Sequence, residues 1–391
     1  MPKVLVTDCN SRKALCAVRS LGKKGYQVIA ACDNKINMSR FSKYCSKFHY
    51  LPNPVFEEEN YLATLTKLIR EHSIDVLVPM EDETVELIIN NRDKIGSIKT
   101  LLPGYETFML ARDKGKTIKY AIDLGVSCPY TYFPNNIADL EKLKDEINYP
   151  VIIKPRMSSG SRGLSYVENK KELITKYKEI HSIYPLPIIQ QYVSGNYKKI
   201  QILLMTDEDH KVKASCTYQG IREFPVDGGP VTLWKTVELP EIENQTIEFM
   251  EKINWVGFAE VEYIVDYNTG KHFLMEINPR FSANIALAVN VGIDFPFIFS
   301  ELSLSKEVGT KINNKFNEYC QWLLPGDLLN FAFNKKRFNQ EIGYFFNKPK
   351  NISYAILSKE DPLPTVATVL STFINLVGNL KNLQAKLKAS K

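Results

Sequence analysis

The chain has 391 residues, 44% of them hydrophobic and 24% charged, which is ordinary soluble-protein composition with length for more than one core. Its formal net charge of +6 is mild, and with no RRM, KH or helix-turn-helix pattern it argues against a nucleic-acid partner. No apolar run reaches about 18 residues, which argues against a spanning helix; PKVLVTDCN at the start reads as a strand rather than a signal peptide. Seven cysteines, at 9, 16, 32, 45, 128, 216 and 320 with no CxxC pair, fit reduced thiols, no zinc site and a cytoplasmic setting.

Residues 1–110 alternate apolar runs with helical patterns: KVLVT, a helix near Arg12 to Lys24, YQVIAA, a helix through ENYLATLTKLIREH, IDVLVPM, and a helix from Glu83 to Asn91. That rhythm predicts a small doubly wound parallel sheet. Its first turn, DCNSRKALCAVRSLG, has no GxGxxG, so a scaffold or substrate-shaping unit is expected rather than a dinucleotide site. Open α/β sheets bind ligands beyond the carboxyl ends of their strands. Glu81, Asp82 and Glu83 lie at such an end, where they either meet a substrate amine or serve the positive N-terminus of the next helix.

A second unit begins near Tyr105. ARDKGKTIKYAIDLG reads as a helix, and YPVIIKPRMSSGSRGLSYV as strand, loop, strand, with Lys154 closing the first strand and Ser158 to Gly163 forming a small-residue loop. A lysine before such a loop suits phosphate, because bare backbone N–H groups can close over its oxygens. A plain hairpin tip has the same composition. PIIQQYVSG is a strand broken at Ser194 and Gly195, and KIQILLM continues the sheet. Arg222 then sits beside an irregular Gly228, Gly229, Pro230 turn, in the kind of segment that shapes a site.

FAEVEYIVDYNTG followed by FLMEINPR reads as a hairpin turning near Thr269. Side chains alternate across a strand, so Phe273, Met275 and Ile277 share one face and Leu274, Glu276, Asn278 and Arg280 the other. Antiparallel pairing then sets Glu262 opposite Glu276 and Glu260 opposite Asn278. Like charges so placed cost up to about 1 kcal/mol, and more when half buried, unless a cation lies between them or one is protonated. Carboxylate and amide oxygens without Cys or His favour Mg²⁺ or Mn²⁺ over zinc. The competing reading is a solvated polar face with a salt bridge to Arg280.

Residues 320–360 are aromatic and basic. From Val366 the spacing Val369, Leu370, Phe373, Leu376, Val377, Leu380, Leu383, Leu387 makes one helical apolar stripe, with Lys381, Lys386, Lys388 and Lys391 near its end. The favoured expectation packs that stripe on its own domain or a second subunit; the alternative lays it on an anionic membrane surface, at the inner face of the membrane.

ARDKGKT, VIIKP, SSGSRG, IIQQYV, VEY and EINPR follow one another in an order that resembles an ATP-grasp enzyme over roughly residues 1–310. The chain is most similar to the branch of the carbamoyl-phosphate synthetase ATP-grasp halves and of the carboxylate-amine ligases, such as D-aspartate ligase. The resemblance implies an α/β (α+β) chain: a Rossmann-like pre-ATP-grasp domain at 1–110, a lid with the phosphate loop at 111–190, a catalytic subdomain with the Mg site at 191–320, and a C-terminal extension with its amphipathic helix at 321–391. Lys114 and Lys154 would bind ATP phosphates from opposite walls, with Ser159, Gly160, Ser161 and Gly163 as the phosphate loop. Gln190, Gln191, Tyr192 and Val193 would hold adenine, with Gln190 where relatives often carry Glu. Glu262, Glu276 and Asn278 match the metal ligands, and Arg280 the arginine that reaches the transferred phosphate or acyl group. Arg222, in a segment resembling R-x-F/Y-P...GGP, would steady the acyl phosphate or the substrate carboxylate.

The implied reaction passes the γ-phosphoryl group of ATP to a carboxylate, and an amine then attacks the acyl phosphate to form an amide or peptide bond. Its partners would be small carboxylates and amines, among them an amino acid and a cell-envelope precursor; a homodimer follows only by analogy. The alternatives are a carboxyphosphate-forming synthetase or carboxylase, against which stands the lack of a second grasp half and of an AMKM-like biotin site, and a non-catalytic nucleotide-binding regulatory protein. No Ser/His/Asp or Cys/His set points to covalent catalysis by a side chain.

Overall fold

The computed structural model describes residues 1–226 and 228–374. Four parallel strands, β1 (Lys3–Val6), β2 (Gln27–Cys32), β3 (Cys45–Tyr50) and β4 (Val76–Val78), form the first sheet in the order β3-β2-β1-β4. Val4, Leu5, Val6, Val76, Leu77 and Val78 are fully buried, as strands covered by helices on both faces must be. Between β1 and helix Arg12–Lys23, Asp8 turns the chain with a φ of 52° and Ser11 caps the helix by accepting from Ala14 N. Asp8 also accepts from Met80 N and Glu81 N at 3.1 Å and from Thr84 Oγ1 at 2.8 Å, which ties the carboxyl ends of β1 and β4 together. The doubly wound expectation is met with one strand added. Half-exposed β3 has no apolar alternation to announce it, because it is the edge.

A second, antiparallel sheet holds β5 (Thr131–Tyr132), β6 (Val151–Lys154), β7 (Ser165–Val167) and β8 (Ile188–Gln191) in the order β5-β8-β6-β7. Val151, Ile153, Val167 and Ile189 pack on Leu173 and Tyr177 of helix Lys170–Ile183.

The third sheet is the floor of the molecule. It contains β9 (Tyr197–Thr206), β10 (Val212–Glu223), β11 (Val231–Thr236), β12 (Gly257–Asp266), β13 (His272–Asn278), β14 (Lys311–Ile312), β15 (Tyr319–Gln321) and β16 (Ile352–Tyr354). The path runs β13-β12-β9-β10-β11-β15-β16, with β14 on β10. Alternation along β9 splits its side chains between two cores. Leu203 and Met205 join Val4, Leu15, Trp234, Phe281 and Phe295, so the first unit and the floor share one core. Ile202 and Leu204 join Phe249, Trp255 and Leu274 on the other side. At Gly257, where φ is +90°, an added Cβ would lie 2.3 Å from Leu101 O, so the seam between the two units admits only glycine there.

The C-terminal region is less helical than expected. Strand β15 spans the expected 320/321 boundary, and β15 and β16 extend the floor. Asp361 is buried against the first unit, accepting from Arg19 Nε at 2.9 Å, Ser42 Oγ at 2.7 Å and Lys43 N at 2.9 Å. Along helix Leu363–Ile374, Ala367 and Thr368 face inward while Val366, Val369, Leu370 and Phe373 are exposed. The described part of the apolar stripe therefore does not pack on its own domain, which corrects that half of the favoured expectation. The rest, from Leu376 to Leu387 with the four lysines, lies outside the described residues. Among the described residues no single helix is long and apolar enough to cross a membrane.

Candidate active site

Strands β12 and β13 pair with Glu262 opposite Glu276 and Glu260 opposite Asn278, the register that the turn at Thr269 predicts. One detail differs. A bulge follows Glu262, so Tyr263 pairs with Leu274 and Met275 is the extra residue. The bulge inverts the alternation, which places Leu274 in the core with Ile277 instead of on the polar face with Glu276.

The polar face is a chain of acceptors held by amides. Asn278 Nδ2 donates to Glu262 Oε1 at 3.0 Å and to Glu260 Oε1 at 3.1 Å. Gln201 Nε2, on β9, donates to Glu262 Oε1 at 3.3 Å and is itself fixed by Asn284 Nδ2 at 3.2 Å. Glu260 accepts from Tyr218 OH at 3.2 Å and from Ser282 Oγ. Burial pushes the Glu262 carboxyl up, and the charges of Glu276 and Glu260 push it further. Glu276 goes the other way: burial would raise it, but Lys114, Lys154 and Arg280 hold it below the usual carboxylate value.

Two lysines face this floor, Lys114 from a helix packed on β13 and Lys154 from the lid sheet. Lys114 opens helix Lys114–Asp123, whose cap Asp113 accepts from Gly115 N at 2.8 Å, and its Nζ lies 2.8 Å from Glu276 Oε2 and 2.5 Å from Ser158 O. Lys154, at the end of β6, donates to Gln190 Oε1 at 2.6 Å, and burial pulls its ammonium down to about 8, with Glu276 opposing that shift. The loop beyond Lys154 takes left-handed backbone at Gly160, Ser161 and Gly163, with φ of 63°, 61° and 75°. Ser159 Oγ accepts from Arg162 Nη2 at 2.9 Å. In the hinge, the side chain of Gln190 points inward, bound to Lys154 and, through Nε2, to Thr131 Oγ1 at 3.0 Å. Gln191 N and Tyr192 N are bonded to Tyr130 O and Pro150 O at 2.8 and 3.0 Å, whereas Val193 N makes no such bond among the described residues.

Arg280 sits between the floor and the first unit. Its Nε donates to Asp82 Oδ2 at 3.0 Å, Arg112 Nη1 approaches the same carboxylate at 2.8 Å, and Lys13 binds Glu81 at 2.7 Å. Burial would lower the Arg280 pKa, but Asp82, Glu81 and Glu260 raise it. Asp82 begins helix Asp82–Asn90, one residue earlier than expected. The three acids after β4 are thus matched by cations of the chain itself, Glu83 by Arg112 at 3.2 Å. Arg222 is also committed internally. It is buried with Nε 2.9 Å from Asp327 Oδ1, Nη2 on Asp327 Oδ2, Nη1 2.5 Å from Ile342 O, and its guanidinium 4.2 Å from the Tyr344 ring centroid. The structure joins Arg222 to the C-terminal region rather than presenting its charge to the acids of β12 and β13.

Nothing in the sequence marks Glu260, Gln201 and Asn284 as ligands beyond the amide of Gln201 inside the apolar run KIQILLM. Among the described residues no group of three His, Cys, Asp or Glu side chains converges to enclose a metal. The oxygens of β12 and β13 nevertheless fit Mg²⁺, which takes one or two carboxylates and completes its shell with water and phosphate oxygens. The opposed acids, one of them pushed up by the other's charge, are what a cation would relieve.

A lid of four antiparallel strands and a helix over an antiparallel floor behind a doubly wound domain is the arrangement of the ATP-grasp superfamily. Residues 112–309 match the family model of the carbamoyl-phosphate synthase L chain, ATP-binding domain, and the chain belongs to this family of ATP-dependent carboxylases and ligases. It is 27% identical over 139 residues to acetyl-CoA carboxylase 1 of Arabidopsis thaliana, a stretch covering 34% of this chain and only 6% of that protein. Among solved structures it superposes on the biotin carboxylase domain of Hydrogenobacter thermophilus 2-oxoglutarate carboxylase, determined with MgADP, ADP and bicarbonate, with a TM-score of 0.67 at 17% identity over 81% of this chain and 73% of that one. N5-carboxyaminoimidazole synthetase of Staphylococcus aureus gives 0.62 at 15% identity, covering 79% of both chains. L-amino acid ligase of Bacillus licheniformis gives 0.58 at 15% identity, covering 78% of this chain and 74% of that one.

Proposed function

We propose that this protein phosphorylates a carboxylate with Mg-ATP and passes the acyl group to an amine, releasing ADP and phosphate. The observation that carries the reading is the register of Glu262 on Glu276, with Lys114 bridging Glu276 to the loop end at Ser158. Lys114 and Lys154 hold the transferred phosphates from two walls, the loop of Ser159, Gly160, Ser161 and Gly163 closes over them, and the open N–H of Val193 meets the adenine edge. Glu262, Glu276 and Asn278 would hold Mg²⁺, which supplies charge neutralisation on the phosphates when bound. Arg280 orients the carboxylate. A carboxylate oxygen attacks Pγ, the bond to the bridging oxygen breaks, and ADP leaves with the electron pair. The amine nitrogen then attacks the acyl carbon, phosphate departs, and the nitrogen loses its proton to phosphate or solvent. Transfer of this kind is positioning and electrostatics, for which buried lysines are suited.

Bicarbonate in place of an organic carboxylate is the second reading, favoured by the higher TM-scores of the two carboxylating enzymes than of the ligase. The two readings part on one experiment. The protein is given Mg-ATP with amino acids and small carboxylic acids, singly and in pairs, with and without bicarbonate, while ADP and intact product mass are followed. A product one water lighter than its two substrates, formed without bicarbonate and lost in Glu276→Gln, supports the ligase; ADP release that requires bicarbonate instead supports the carboxylase. The exposed apolar residues of helix Leu363–Ile374 keep a second subunit or a membrane surface as the partner of the C-terminal region. Vesicle sedimentation that does not change on replacing the terminal lysines would remove the membrane.

A further inference from the structure

Arg12, in the first turn of the N-terminal sheet, is 9% exposed and makes no ion pair among the described residues. Its guanidinium lies 4.0 Å from the ring centroid of Trp322 and 5.7 Å from that of Trp234. Only neutral oxygens receive its protons: Ala283 O from Nε at 2.8 Å, and Asn284 Oδ1 at 3.2 Å and Val231 O at 3.4 Å from Nη2. Nη1 has no partner among the described residues. A buried charge without a counter-ion is costly, so its retention calls for something that compensates it. The acid that acts on it over a longer range, Glu260, is already occupied by Tyr218, Ser282 and Asn278.

Arg12 lines a cavity of about 360 Å³, inside the range of about 300–1,000 Å³ typical of small-ligand sites. Lys13 and Arg280 line it too, and Glu81, the acid in its wall, already binds Lys13 at 2.7 Å. Trp322 and the hydroxyl-bearing Thr368 and Ser371 of the C-terminal region complete the lining. We infer that this cavity is a second-substrate subsite for a molecule with an oxyanion, phosphate or carboxylate, attached to a flat apolar body, with Arg12 on the oxyanion and the rim of Trp322 beside the body. Arg12 and Trp322 both lie outside the stretch 112–309 that matches the family, so they would select a substrate particular to this chain. The assignment as second-substrate subsite rests on the ligase reading; the anion site itself does not.

The test titrates the full chain, with Mg-ADP present to occupy the nucleotide lysines, with phenyl phosphate and with phenol, reading tryptophan fluorescence. Phenyl phosphate should bind saturably and phenol should not; Arg12→Gln should weaken phenyl phosphate about tenfold, as loss of one charge-assisted hydrogen bond does. Arg12→Lys should recover part of that loss, which a purely structural role would not require. Should Arg12→Gln not fold, Ser371→Phe fills the cavity from its rim and should abolish phenyl phosphate binding while Mg-ADP still binds. Wild-type protein that ignores phenyl phosphate, or binding that is equal in Arg12→Gln or in Ser371→Phe, overturns the inference. If phenyl phosphate binds as expected but no carboxylate and amine pair releases ADP, the anion site stands and the ligase reading fails.

Discussion

Replacing Glu262 by Gln should make the nucleotide-free protein more stable and the nucleotide-loaded protein less so. The amide keeps the oxygen that accepts from Asn278 and Gln201 and removes one of two opposed charges. Such a pair costs about 1 kcal/mol, and more when half buried, while Lys114, 2.8 Å from Glu276, already neutralises part of the repulsion, so a gain of about 1 kcal/mol is expected. Because the Glu262 carboxyl is raised in the folded state, its ionisation opposes folding: the penalty is absent below the ordinary value of 4.5 and grows as pH rises through the raised pKa. The stabilisation by Gln should therefore be seen at pH 8 and fade by pH 4. With Mg-ATP at about a hundred times its dissociation constant, the wild type should be stabilised by about 2.7 kcal/mol and the variant by almost nothing. The order of melting temperatures thus inverts on adding Mg-ATP, which differential scanning fluorimetry at several pH values reads directly. A variant that melts below the wild type without ligand, or that responds to Mg-ATP as the wild type does, would refute the reasoning.

The same geometry sets other outcomes. Lys154 has its pKa pulled to about 8 by burial, and phosphate would raise it again, so nucleotide affinity should be full below pH 8, fall above it, and lose that dependence in Lys154→Met, as isothermal titration across pH 7–10 would show. Gln190→Glu, placing a carboxylate where Lys154 donates at 2.6 Å, should shift the midpoint of that fall to higher pH in the same titration. Asp327→Ala strands buried Arg222 and should cost about 3–5 kcal/mol in urea denaturation, much of which Arg222→Met combined with Asp327→Leu should restore. Gly163→Ala, where φ is +75° and a Cβ would lie 2.7 Å from Pro155 and Tyr184, should weaken ATP binding by deforming the loop, read by titration beside an unchanged melting temperature of the floor.

The hairpin was legible because two local signals agree: a turn rich in Asp, Asn and Gly sets the register, and the alternation of acids and amides with apolar residues marks the faces. Its bulge was not, because an extra residue in one strand shows only against its partner. The parallel strands were legible as apolar runs, and β3 was not, since a half-exposed edge needs no such run. Arg222 illustrates a different limit. Its partner Asp327 is 105 residues away, so an arginine in an irregular segment reads the same whether it meets a substrate or a buried carboxylate. Arg12 is the converse case: the first turn shows in sequence only the glycine fingerprint it lacks, while the two tryptophans near its arginine come from distant segments. Strands β15 and β16, at three residues each, are too short to show any period.

Phosphorylation of a carboxylate leaves a mark that transfer of ¹⁸O reads. With the substrate pair that supports ADP release, the carboxylate, or bicarbonate in the second reading, is labelled in its oxygens and the released phosphate is analysed by mass. One labelled oxygen is expected in each phosphate, carried across when the acyl phosphate is broken at carbon. Phosphate without label, released at the same rate as ADP, would show that water and not the carboxylate took the phosphoryl group, and would contradict that expectation.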